Sequence, residues 1–359
     1  MEESINYITF YSDFMQVIYL SKEVESLEYS VGGSEWLPLG TRRVVFGGVQ
    51  GKLSLRGMSK YGTKGTNIKF GTNAEVICVG DIRTLIDYYY YKNADTSEAR
   101  FDSLFKDCRQ LIFPPELYSS ELADGCFESM FEGCTSLKEA PILPAKEMAK
   151  SCYRFMFFGC SLLENPPELP SLELADSCYR SMFHNCTSLK RSPALPAEEM
   201  KIECYASMFD GCSSLTFLPE LQAVKLADYC YSRMFSDCSS LMTAPALLAT
   251  ELADGCCWEM FKGCTALKLL SSHKLPAKEL ADNCYRSMFQ GCTSLKEAPK
   301  LPAKELANNC YKSMFEGCTS LKRVPELTAE ELPDNFCESM FKGCTSLQNT
   351  DDYNPAFFK

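Results

Sequence analysis

Histidine is scarce in this chain, and so are the motifs of enzymes. Only two of the 359 residues are histidines, His184 and His273, and they occupy unrelated positions. A catalytic thiol needs a histidine held beside it, and no cysteine here is singled out in that way. The sequence also has no glycine-rich phosphate-binding loop and no C-x-x-C zinc motif. We therefore expect a non-enzymatic protein with no catalytic residue, no metal site and no cofactor.

Excess positive charge and long apolar stretches are also missing. The formal net charge is −11, with 36 Lys and Arg against 47 Asp and Glu. This balance argues against a general nucleic-acid binder, which needs a cationic face to displace counterions. No apolar run approaches the ~20 residues needed to span a bilayer. The acidic opening MEESINYITFYSDF does not resemble a signal peptide. We predict no transmembrane segment, and a protein that is either retained in a cytoplasm or exported by a signal since removed.

Cysteine, in contrast, is abundant, and its spacing reveals an internal repeat. The chain has 21 cysteines, and one series recurs every 26 residues, apart from one step of 28 that spans two inserted residues in LLSSHKLP. A phenylalanine stands three residues before each member and a leucine three after it, and a second cysteine series lies eight residues before the first. The unit is approximately MFxGCTSLKxAPxLPAxELAxxCYxS. The first series is Cys108, Cys134, Cys160, Cys186, Cys212, Cys238, Cys264, Cys292, Cys318 and Cys344.

A period of 26 residues lies within the range of leucine-rich repeats. One unit cannot bury its own apolar side chains, so the copies must stack and align equivalent residues in columns. The spacing predicts a short strand over 137–143 and a short helix over 126–134, whose cysteines and Met130 are spaced i, i+4, i+8 on one face. Asp124 would cap the start of that helix, and Gly133 would end it. Because proline cannot donate to a sheet, Pro141 and its equivalents predict very short strands.

We therefore predict an α/β leucine-rich-repeat solenoid, with short parallel strands on the concave side and short helices on the convex side. The region before the repeats contains β-rich runs such as YITFYS, RRVVFGG and EVICVG, separated by glycine turns, which favour a small all-β sandwich. The expected domains are a sandwich-like domain over 1–80, a junction with an imperfect first repeat over 81–108, the solenoid over 109–348 and a C-terminal tail over 349–359.

The regular cysteines admit two interpretations, disulfides or free thiols. On a helix, Cys126 and Cys134 would lie ~12 Å apart, too far for a disulfide. Equivalent cysteines of neighbouring repeats would point in the same direction. We therefore expect a column of free cysteines that act as small apolar core residues.

The GCTSL, LPA and MF elements resemble the BspA-like, or Treponema-type, leucine-rich repeats of bacterial surface proteins, over about residues 98–348. The segments LEYSVGGSEWLPLG, KLSLRG and GDIRTLIDY resemble the N-terminal region of such proteins. The repeat differs from the commonest form by being a few residues longer. The resemblance implies adhesion to host or matrix proteins at the cell surface. It carries over no binding residue, because the family motif consists of core positions.

The positions that vary between repeats are the candidates for partner binding. The two residues after the repeated leucine, the one that stands three positions after each cysteine of the first series, vary most. In the middle repeats these two residues are less charged and more apolar, as expected of a contact site. We predict a monomeric protein that binds a protein or a glycan, and no nucleic acid, at the bacterial cell surface. The alternative is a structural or host-recognition component of a larger assembly, such as a phage tail or an appendage. The candidate residues are Lys190, Arg191, Thr216, Phe217, Met242, Thr243, Lys268 and Leu269.

Overall fold

A computed structural model describes residues 6–329, 332–333 and 335–348 of the chain. The expected C-terminal tail, 349–359, lies outside the described residues. The chain divides into two compact units, Met1–Pro170 (unit 1) and Ser171–Lys359 (unit 2). The strands of unit 1 are β1 (Ile8–Tyr11), β2 (Gln16–Leu20), β3 (Glu28–Val31), β4 (Leu37–Pro38), β5 (Val44–Phe46), β6 (Leu53–Arg56), β7 (Ile68–Phe70), β8 (Val76–Val79) and β9 (Leu111–Phe113). Those of unit 2 are β10 (Thr243–Ala244) and β11 (Leu269–Leu270).

The N-terminal part of unit 1 is built from two sheets. One has six strands in the order β4-β3-β6-β1-β8-β9, and the other has three in the order β5-β2-β7. Phe10 of the first sheet packs edge-on against Phe46 and Phe70 of the second, with ring centroids 6.4 and 6.1 Å apart. This arrangement agrees with the β-sandwich expected from the glycine-separated β-rich runs.

The first repeat joins this core directly. Its strand β9 pairs in parallel with β8, with Val76 opposite Leu111, while the other pairs in the two sheets are antiparallel. Phe105, the first phenylalanine of the repeat series, lies with its ring centroid 6.3 Å from that of Phe10. Each repeat forms one coil of the stacked chain. The β-rich region and the first coils of unit 1 therefore share one hydrophobic core.

The predicted solenoid with helices is wrong, because no α-helix occurs among the residues that the structure describes. Its helical segments are three 3₁₀ turns, Gly48–Gln50, Ile82–Leu85 and Tyr91–Asn93. Where the helix was expected, over 126–134, the chain forms a series of overlapping turns. Gly125, Ser129 and Gly133 have φ angles of 63°, 57° and 73°. A left-handed residue at every fourth position cannot belong to an α-helix.

Hydrogen bonding in this segment alternates between the coil itself and the next coil. The amide of Met130 donates to the carbonyl of Phe127 within the same coil at 3.2 Å, whereas the amide of Phe131 donates to Met156 of the next coil at 2.9 Å. Half of the amides thus join neighbouring coils, which a helix does not allow because its amides bond internally. The i, i+4, i+8 face of Cys126, Met130 and Cys134 is buried as expected. A turn repeated every four residues produces that face.

Two finer predictions that followed from the helix and the sheet are also wrong. Asp124 does not cap a helix, since its Oδ1 accepts the amide of Lys150 in the next coil at 3.0 Å. The predicted regular sheet of short parallel strands is reduced to the short strands β9, β10 and β11 and to single parallel bridges, such as Leu221 with Leu247. The prolines of the repeat remove amide donors from this ladder and interrupt it.

Buried aromatic columns run through the stacked coils of each unit. In unit 1 the rings of Phe105, Phe131 and Phe157 are nearly parallel, with centroids 5.5 and 5.6 Å apart. In unit 2 the column from Phe183 to Phe341 has spacings of 5.5 to 5.7 Å. Such near-parallel, offset rings are a favourable arrangement for aromatic pairs. The repeating phenylalanines therefore occupy the core, as the sequence period predicts.

Candidate functional site

The eight candidate residues are all exposed, and the structure brings them together in pairs on neighbouring coils of unit 2. Arg191 forms a parallel bridge with Phe217, and the amide of Thr216 donates to the carbonyl of Lys190 at 3.1 Å. Since the side chains at these positions point away from the buried columns, Phe217 is left 72% exposed. One pair of coils thus carries the first four candidates.

The next two coils carry the other four candidates. Thr243 lies opposite Leu269 in the parallel pair β10–β11, and the amide of Lys268 donates to the carbonyl of Met242 at 3.0 Å. Met242 and Leu269 are 52% and 43% exposed. Three large apolar side chains, counting Phe217, therefore lie exposed at equivalent or adjacent positions of the repeat.

The two pairs of coils are separated by a break in the hydrogen-bond ladder. Within the described part of the chain, no backbone hydrogen bond joins Met242 to Thr216, although their equivalents are bonded in the pairs on either side. Pro219 and Pro245 follow and have no amide hydrogen to donate. The coils meet again at the bridge between Leu221 and Leu247. The backbone is therefore open between two points of contact.

This opening forms a groove of about 500 Å³, which we name groove A. Phe217 and Leu248 line it and remain largely exposed, while Leu221 and Ala244 are buried beneath them. Groove A is within the usual size range of small binding sites. Sequence reasoning found Thr216, Phe217 and Thr243, which line it. It missed the remaining lining residues, Leu218, Pro219, Glu220, Leu221, Gln222, Ala244, Pro245, Ala246, Leu248 and Ser271.

The charge in groove A is of one sign. Glu220 is the only charged residue that lines it among those the structure describes. Its Oε2 accepts a hydrogen bond from Nε2 of Gln222 at 3.0 Å, so the carboxylate is held at the wall while still exposed. The groove is therefore mainly apolar, with the carboxylate of Glu220 at its wall. An apolar ligand with a positive charge complements this surface.

The cysteines are a second set of chemically capable residues, but burial suppresses their reactivity. All 21 lie within the described residues and are present as thiols, 20 of them buried and Cys344 half-buried, which confirms the prediction of free cysteines. Loss of hydration raises the pKa of Cys108 to about 12 and that of Cys344 to about 11. Because the thiolate is the nucleophile, these protonated thiols are inert at neutral pH.

The thiols do more than fill space, which the sequence interpretation missed. The Sγ atom of Cys264 donates to the carbonyl oxygen of Phe235 in the preceding coil at 3.0 Å, and Cys238 makes the same contact with Phe209 at 3.2 Å. The first cysteine series repeats this contact from coil to coil in both units. Each such thiol is at once an apolar core group and a weak hydrogen-bond donor.

A partly buried charge cluster lies on the turn segments of unit 2. Nε of Arg233 is 2.9 Å from the buried Asp210 carboxylate, and a second guanidinium nitrogen is 2.6 Å from Glu259. Nδ1 of His184 is 3.7 Å from Asp210. Burial raises the pKa of Asp210 and lowers that of His184. Nζ of Lys262 is also 2.9 Å from Glu259, so the two carboxylates face two cations, and the cluster links neighbouring coils as a structural ion-pair network.

In the described ranges, no group of three or more His, Cys, Asp and Glu residues could hold a metal ion. No helix in the part of the chain that the structure describes is long and apolar enough to cross a membrane. Comparison with models of protein families, with curated proteins and with solved structures found no match. The resemblance to BspA-like repeats stays a prediction.

Proposed function

We propose that this chain is a non-enzymatic binding protein that holds an apolar segment of a partner protein in groove A. One observation carries the proposal: the ladder between two coils opens beside Phe217, leaving that ring 72% exposed at the edge of a groove of about 500 Å³. Large exposed apolar groups around a concave surface are typical of contact sites. The neighbouring Met242 and Leu269 extend the same apolar surface.

The energetics favour a partner over an unoccupied groove. Removing a side chain of this size from water contributes about 1.5–3 kcal/mol when burial is complete. Aromatic residues in such positions often account for a large share of binding energy. The walls are mainly apolar, from Phe217, Pro219 and Leu248, and so they complement apolar side chains. The hydroxyl groups of Thr216 and Ser271, which also line the groove, already donate to backbone carbonyls of the protein. This lining supports a protein segment over a glycan, whose hydroxyl groups need several hydrogen-bond partners.

The test uses the full chain and a library of displayed peptides. Peptides selected on the wild-type chain are synthesised, and their Kd values are measured by fluorescence anisotropy. We expect Phe217→Ser to weaken binding at least about tenfold, since a tenfold change corresponds to about 1.4 kcal/mol and aromatic contacts that dominate an interface are worth about 2 kcal/mol or more. Ile202→Ser is the matched control, because Ile202 is a large apolar residue of unit 2, 49% exposed, outside groove A. Its Kd should match that of the wild type.

Two results would overturn the proposal. One is that no peptide is enriched, or that the selected peptides bind the Phe217→Ser chain as tightly as the wild type. The other is that a printed glycan array, probed with the same chain, gives binding that Phe217→Ser abolishes while peptides give none. A cell-surface location, which the family resemblance implies, is part of the proposal and is tested by protease accessibility of the chain on intact cells of its source.

A further inference from the structure

The sequence of groove A occurs twice. Residues Phe217–Leu221 read FLPEL, and residues Phe113–Leu117, four repeats earlier, read FPPEL. The same repeat position holds a polar or charged residue in other repeats with the PEL ending, namely Asn165 and Arg323. Each F-x-P-E-L copy is followed in the next coil by Ala-Pro, at Ala140 and Ala244. The combination that lines groove A is therefore duplicated in unit 1.

The structure has a second groove at this second copy, which we name groove B. It measures about 340 Å³ and is lined by the motif residues Phe113–Leu117 and by Ala140 and Pro141 of the next coil. Groove A is lined by the equivalent residues of unit 2. The walls of groove B are completed by Ile142 and, from strand β8, by Val79. Two grooves thus arise from one motif, each contained within its own unit.

Groove B also exposes apolar side chains, although its phenylalanine, Phe113, is half-buried where Phe217 of groove A is exposed. Ile142 is 66% exposed, Tyr118 40% and Val79 39%. Around them Pro115 and Leu117 are buried. The exposed side chains surround a concave surface and are not scattered singly, which distinguishes a contact site from an ordinary surface.

The charges in the two grooves also agree. Glu116 of groove B and Glu220 of groove A occupy the same motif position, and both are exposed. Groove B has a second carboxylate, Glu139. No lysine or arginine lines either groove in the described part of the chain. An anionic or strongly acidic ligand would meet like charge in both, whereas a cationic one is attracted.

We infer that groove B is a second binding site for the same class of ligand, an extended protein segment with a large apolar side chain next to a lysine or arginine. The apolar side chain contacts Phe113 and Ile142, and the cation lies against Glu116. The inference rests on the function proposed for groove A. A partner with two such segments, or two copies of one partner, then engages the chain twice, and linked binding raises the apparent affinity.

The experiment isolates groove B by selecting displayed peptides on the full-length Phe217→Ser chain. The best peptide is synthesised and its Kd measured by fluorescence anisotropy at low and high salt. We expect enriched peptides to contain Lys or Arg beside a large apolar residue. Adding Ile142→Ser should weaken binding about fivefold or more. Adding Glu116→Gln should weaken it about fivefold at low salt and reduce its salt dependence.

Matched controls keep the outcome specific. Leu162→Ser removes an apolar residue of unit 1 that is 49% exposed and outside groove B, and Glu75→Gln neutralises an exposed carboxylate elsewhere in unit 1. Both should leave the Kd unchanged. All variants alter exposed side chains, and their thermal unfolding should match that of the parent, which shows that lost binding is not lost folding.

The two proposals can fail separately. If peptides selected on the wild type depend on Phe217 but the Phe217→Ser chain enriches none, groove B is not a site and groove A stands. If peptides from the Phe217→Ser chain depend on Ile142 and Glu116 while wild-type selection gives nothing that depends on Phe217, groove B stands and the function proposed for groove A is wrong. Enrichment of acidic peptides, or binding unaffected by Ile142→Ser, overturns the inference for groove B.

Discussion

The left-handed glycines of the turn segments can be tested by replacing Gly263 and Gly317 with alanine, one at a time. Both occupy the same repeat position in unit 2, with φ of 71° and 73°. A Cβ atom on Gly317 would meet Cα of Gly291 at 3.7 Å, an ordinary contact. On Gly263 it would come within 2.0 Å of Oδ1 and 3.1 Å of Cγ of Asp237, which replaces glycine in the preceding coil. The two substitutions therefore share backbone strain and differ in steric conflict.

The expected costs follow from those two terms. A left-handed alanine costs about 1–2 kcal/mol, so Gly317→Ala should lower the free energy of unfolding by about that amount. Gly263→Ala must also displace the Asp237 side chain from its rotamer, which adds about 0.5–1.5 kcal/mol. Asp237→Gly restores the residue found in most repeats and removes the conflict. In that background, Gly263→Ala should cost about 1 kcal/mol less, a coupling that a double-mutant cycle measures directly.

Equilibrium unfolding in urea is a suitable assay, because the two tryptophans lie in different units. Trp36 is in unit 1 and Trp258 in unit 2, so a Trp36→Phe background leaves fluorescence that reports on unit 2. The reasoning is refuted if Gly263→Ala costs the same with Asp237 as with Gly at that position. It is equally refuted if Gly317→Ala proves the more damaging of the two, since Asp237 would then not lie over Gly263.

Other predictions concern the thiols and the half-buried His184. In the native protein at pH 8, an aromatic disulfide reagent should modify Cys344 first. The 20 buried thiols should react only after unfolding, when all 21 cysteines are modified. Early modification of several thiols would contradict the buried columns. Cys264→Ala should lower the free energy of unfolding by about 1–3 kcal/mol, because it removes both buried volume and the donor to the Phe235 carbonyl; no change in urea midpoint would exclude a role for that contact. The His184 pKa is lowered below 6.5, so unfolded chains bind a proton that folded chains do not. The stability of unit 2 should therefore rise as the pH increases through the folded pKa towards 6.5, and His184→Gln should flatten that rise in pH-dependent melting.

Much of the core could be predicted from the spacing of residues alone. The columns of phenylalanine, cysteine and leucine are buried where the 26-residue period places them, and the cysteines are thiols. These features depend only on equivalent side chains facing the same way in stacked copies. The exposure of Phe217 and its neighbours was predicted for the same reason, since the variable positions lie between the columns.

The helix could not be distinguished from the true backbone by periodicity. A face at i, i+4, i+8 arises from a helix and from turns repeated every four residues alike. Serine at the left-handed position, as in Ser129, did not indicate a left-handed backbone, because non-glycine residues with positive φ are uncommon. The glycines at 125 and 133, four residues on either side, were the available signal. Gly133 was interpreted as the end of a helix and not as one member of a regular series.

The amino-acid sequence by itself determined which side chains are buried and that the copies stack, because a short repeat cannot bury its apolar groups unless equivalent copies pack against it. The tertiary structure decided the path of the backbone and the position of the grooves. An amide can bond within its coil or to the next one, and which partner it takes depends on a neighbour 26 residues away. Groove A lies where the amide of Met242 makes no bond to Thr216, and both grooves are walled by residues of neighbouring coils, a relation between coils that no single repeat contains.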